Sequence, residues 1–141
     1  MNSLKEVRNF LDGIENRNEG GCGIVALSMY LWLMNRQKYV KDTFVLISYA
    51  EAEYINNASA IENNTLDELV APYHVGFFLN EELIDSSNKP INMDTDEQFF
   101  LFVNYKILFA LIKNRDAWND WFNRDKYVPI IEKRLGIELG I

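Results

Sequence analysis

The sequence predicts an α+β fold, with helices packed on a small antiparallel sheet. Three observations carry that reading. Stretches with apolar residues at helical spacing alternate with short β-favouring runs. Two of those runs flank Asn80-Glu81, the pattern of a tight hairpin. No repeat or long low-complexity linker interrupts the chain.

The elements follow in order. Ser3 and Glu6 make a capping box, and Leu4, Val7, Leu11 and Ile14 then line one face of an amphipathic first helix. Gly20-Gly21 ends that pattern. A second helix is expected near 22–36, and its run 24–34 is apolar almost throughout, which reads as buried on all sides. Residues 43–48 form a β-favouring strand, and Ile55, Ala58 and Ile61 mark a further helix closed by Asn63-Asn64. Thr65 with Glu68 caps one more turn, stopped by Pro72. Residues 73–79 and 82–86 read as the hairpin strands. Thr95 and Gln98 make another capping box before a long apolar helix expected near 96–114. The last helix is expected at 126–135, stopped by Gly136.

Composition narrows the function. With 141 residues and 48% hydrophobic content, the chain suffices for one core, so a single domain over 1–141 is expected. A net charge of −7 with scattered Lys and Arg argues against nucleic acid as partner. A single cysteine forbids an internal disulfide, and no secretory leader pattern precedes the first helix. Both point to the cytoplasm. Run 24–34 is well short of the roughly 20 apolar residues that span a bilayer, so no membrane partner is expected.

The only cysteine, Cys22, stands in Gly20-Gly21-Cys22-Gly23 at the start of the apolar helix. A thiol there feels the positive end of the helix dipole and several backbone N–H groups, which favour thiolate. The only histidine, His74, begins the first hairpin strand. If Asn80 and Glu81 form the turn, Leu79 pairs with Glu82 and Gly76 with Asp85. His74 and Asp85 are then diagonal neighbours, the arrangement by which a carboxylate orients an imidazole. Cys22 as nucleophile, His74 as base and Asp85 as orienter make a thiol triad for attack on an amide or thioester carbonyl.

Cys22-Gly23-Ile24-Val25-Ala26-Leu27-Ser28-Met29, His74-Val75-Gly76-Phe77-Phe78 and Ile84-Asp85 together resemble the papain-like cysteine peptidases. The wording is similar to the peptidase domains of bacteriocin exporters, and the Cys, His, Asp order also to transglutaminase-like proteins. The resemblance implies a papain-like fold and a peptidase or amidase acting on a peptide or protein without a cofactor. Where the family carries an oxyanion glutamine before the nucleophile, this chain has Asn16, with Asn18 nearer to Cys22. Those two side-chain amides, with the Cys22 N–H, are the implied oxyanion donors.

Other chemistries fall away. One His and one Cys do not make the usual zinc site, and 92–96 lacks the glycine and closing glutamate of a calcium loop. The alternative to an enzyme is a non-enzymatic protein-interaction module or pseudoenzyme, docking through aromatic residues of its C-terminal half: Trp118, Trp121 and Phe122. In that case Cys22 is a buried core residue.

Overall fold

A computed structural model describes residues 2–17, 20–36, 40–80, 82–85 (Asp85 by its backbone only), 97–114 and 122–141. Among the described residues, five helices pack on one four-stranded antiparallel sheet, an α+β architecture. No helix among the described residues is long and apolar enough to cross a membrane.

Helix α1 spans Leu4–Asp12 and buries Val7 and Leu11. The Ser3 side chain accepts from the Glu6 N–H at 3.3 Å, while the Glu6 carboxylate reaches the Asn2 N–H, one residue beyond the usual capping-box partner. Helix α2, Cys22–Asn35, is buried without a break from Cys22 to Met29. Apolar on every side, it lies inside the molecule rather than on its surface. Its Tyr30 ring packs edge-on against Phe44 and Phe77, with centroids 5.5 and 6.1 Å away, and so seats the helix on one face of the sheet.

Strand β1, Phe44–Ser48, is buried throughout and occupies an interior position in the order β3-β2-β1-β4. Helix α3 spans Glu51–Glu62. Of the positions that marked it in the sequence, Ile55 is largely exposed, and the buried residues are Asn57 and Ala60. Asn57 is held by an amide pair: its Nδ2 donates to the Val70 carbonyl at 3.0 Å and its Oδ1 accepts the Val70 N–H at 2.9 Å. The Thr65–Glu68 capping box does not form. A single 3-10 turn, Leu66–Glu68, follows Thr65, whose hydroxyl turns back to the Ala60 carbonyl.

The hairpin is β2, His74–Leu79, and β3, Glu82–Asp85. Its register pairs Leu79 with Glu82 and Gly76 with Asp85. Asn80 takes a positive φ of 51°, the left-handed geometry that a two-residue hairpin turn requires.

The helix expected near 96–114 is the main correction. Its first part is strand β4, Phe99–Val103, paired antiparallel with β1. Only Tyr105–Lys113 is helical, as α4. A short apolar run is ambiguous between helix and strand, and pairing with a buried neighbour decides it. The cap is Asn104, whose side chain accepts from the Ile107 N–H at 3.0 Å. Thr95 lies outside the described residues. Helix α5, Arg124–Leu135, starts from an Asn123 cap and stops at Gly136, in the left-handed conformation that favours glycine.

Candidate functional site

Pairing and alternation decide which side chains can meet. Directly opposed residues in a sheet project to the same face, and neighbours along a strand to opposite faces. Phe44, Phe77 and Val103 are opposed across three strands, as are Leu46, Val75 and Leu101. These residues belong to the core that α2 completes, and their side is the inner face. Val45, Ile47, His74, Gly76, Phe78, Phe100 and Phe102 therefore belong to the outer face, with Ile47 opposite both His74 and Phe100.

Cys22 and His74 thus lie on opposite sides of the sheet. The thiol is the first residue of α2, 2% exposed, and part of the inner core. His74, 8% exposed, opens β2 on the outer side. Asp85 holds the register position opposite Gly76, diagonal to His74, so the hairpin half of the triad has its expected backbone register. The register does not bring this pair to the cysteine.

Gly21, just before Cys22, has a packing cause. A Cβ on Gly21 would fall 2.8 Å from the Arg17 carbonyl oxygen and 2.8 Å from the Phe122 ring. Only a residue without a side chain lets these two close over the start of α2. Phe122 is fully buried and stacks on Tyr127 at 5.2 Å, so it seals this corner and contributes nothing to a docking surface. That corrects its expected role. Asn16 is exposed with φ 61°, a backbone position that asparagine tolerates well and that accounts for its presence without an oxyanion. Asn18, Trp118 and Trp121 lie outside the described residues.

The outer face is covered unevenly. Leu83 folds over Gly76, where a Cβ would stand 2.5 Å from its Cδ1. Phe78 and Phe102 meet edge-on at 5.7 Å across β1, and Val45 and Ile47 beneath are buried. Phe102 itself is 52% exposed. Tyr49 and Tyr73 form an exposed pair, ring centroids 4.3 Å apart, at the end of β1 and the start of β2. These aromatic positions escaped the sequence reading. Phe102 lies in the uncharged run from Gln98 to Tyr105, which suits a helix as well as a strand, and no local pattern marks Tyr49 or Tyr73 as exposed.

Among the described residues no group of three His, Cys, Asp or Glu side chains is placed to hold a metal ion. No family model matches the chain, and no curated protein or solved structure is significantly similar to it.

Proposed function

We propose that this chain is a non-enzymatic protein-interaction module. The observation that carries this reading is the sealed thiol. A cysteine hydrolase needs sulfur, imidazole and substrate carbonyl to meet, with reacting atoms about 3–3.5 Å apart. Here Cys22 is closed into the inner core, and His74 stands on the other side of the sheet. The Phe122 ring supplies a packing reason for Gly21, one of the glycines that suggest an open nucleophile.

Exposed aromatic side chains at Phe102, Tyr49 and Tyr73 support a protein partner, since such residues are the usual anchors of interfaces. The acidic balance supports protein over nucleic acid. The lone cysteine suits a reducing, cytoplasmic setting.

Native-state alkylation tests the reading. Iodoacetamide near neutral pH is expected to modify Cys22 more slowly than a model thiol, with full reactivity restored by denaturant. Native alkylation faster than the model thiol, and slowed by His74→Ala, would overturn the proposal in favour of a cysteine peptidase or amidase.

A further inference from the structure

Strand β4 ends the sheet, and its hydrogen-bonding edge can be derived residue by residue. The Phe78 N–H donates to the Thr43 carbonyl at 2.9 Å, so β1 turns the main-chain groups of residues 43, 45 and 47 toward β2. Residues 44, 46 and 48 then turn theirs toward β4, where they meet Val103, Leu101 and Phe99. This leaves the N–H and C=O groups of Phe100 and Phe102 pointing away from the sheet. Among the described residues no strand lies beyond β4, and no turn or loop bond reaches the main chain of either residue.

Such an edge is a template for another strand. Natural edges are usually blunted by a lysine, a proline or a bulge. Residues 98–105 contain no charge and no proline, and β4 pairs with β1 without a bulge.

We propose that a second copy of this chain docks on β4, antiparallel, about a two-fold axis through Leu101. The pattern of outward groups fits a two-fold pairing of identical strands, and the uncharged aromatic strand matches itself. With Leu101 opposite its own copy, Phe100 faces Phe102 of the other chain, and Phe102 faces Phe100. Each of these pairs exchanges two N–H···O bonds, so every outward main-chain group described above is used once. The same register sets Phe100 and Phe102 of the two chains side by side on the outer face and joins these four rings to the Phe78–Phe102 contact of each chain. The two four-stranded sheets become one of eight strands. This deepens the interaction-module reading, on which it rests, by naming the partner.

Sedimentation equilibrium on the full chain, in about 0.3 M salt to screen repulsion between two acidic copies, is the test. The expected result is a reversible shift from 16.5 kDa toward twice that mass as concentration rises. Phe102→Pro removes an outward N–H that β1 does not use, and Phe102→Lys places a charge at the edge while keeping the backbone. Each is expected to weaken the dimer at least about tenfold and to leave the far-UV circular dichroism unchanged. Leu101→Cys in a Cys22→Ala background is expected to cross-link across the two-fold, where opposed Cα atoms lie about 4.5 Å apart.

A wild-type chain that stays at 16.5 kDa up to millimolar concentration overturns the proposal. So does a dimer that either folded Phe102 variant leaves intact. A monomer with a protected Cys22 removes only this partner, whereas a reactive Cys22 removes the interaction-module reading and leaves the dimer measurement standing.

Discussion

The two faces of one sheet, a residue apart along each strand, differ in how completely they are closed. On the inner face Phe44, Leu46, Val75, Phe77 and Val103 are buried beneath α2. On the outer face Val45 and Ile47 are equally buried, yet Phe102, separated from Leu83 by two intervening strands, is half open to solvent. Residue type does not account for the difference, because Phe77 and Phe102 are both phenylalanines, in strands of six and five residues. What differs is the layer above them. Among the described residues, the inner face is covered by a helix that is apolar all round, and the outer face by side chains of the sheet itself, Leu83, Phe78 and Phe102. The proposed interaction role rests on that contrast.

The largest expected effect lies inside. Phe77→Ala should lower stability by about 3–5 kcal/mol in chemical denaturation, since the ring leaves a cavity that α2 and β1 cannot refill. Gly21→Ala should cost about 1–3 kcal/mol, because the new methyl meets a main-chain oxygen as well as a ring. A neutral result there would mean that the corner over Cys22 is looser than the packing implies, and would reopen the thiol to substrate. Asn104→Ala should cost about 1 kcal/mol through the lost cap. The sign is informative: within one continuous helix over 96–114, the same change would stabilise. The smallest effect is on the outer side. Phe102→Ser, measured at a concentration where the chain is monomeric, should change stability by no more than about 0.5 kcal/mol. A loss as large as that of Phe77→Ala would erase the contrast between the faces.

Much of this was legible in the residues alone. The buried helix from Cys22, the register of the hairpin and the stop at Gly136 all follow from local patterns: an unbroken apolar run, a two-residue turn and a C-terminal glycine. Strand β4 did not, because Phe99–Val103 suits a strand or a buried helix equally until β1 is known to lie beside it. The candidate triad turns on a related point. Alternation within β2 already separates His74 from Val75 and Phe77, but which face receives α2 depends on contacts such as Tyr30 on Phe44, which cross long stretches of sequence. Gly21 is similar. Its glycine reads as openness in the sequence, while the Phe122 ring that fills its missing side chain comes about a hundred residues later.

That separation bears on how the molecule is made. Phe122 closes over Gly21, and the Asn35 amide reaches the Gly136 carbonyl 101 positions on, so both ends of α2 are finished by the last part of the chain. A polypeptide emerging from the ribosome has α2 and its thiol long before it has the pieces that cover them. The most apolar helix of the protein is thus the one that waits longest for its cover, and the covering contacts are of high sequence separation and slow to close. Pulsed alkylation of Cys22 during refolding would time the arrival of the C-terminal segment. The cysteine is then a clock for the final docking step.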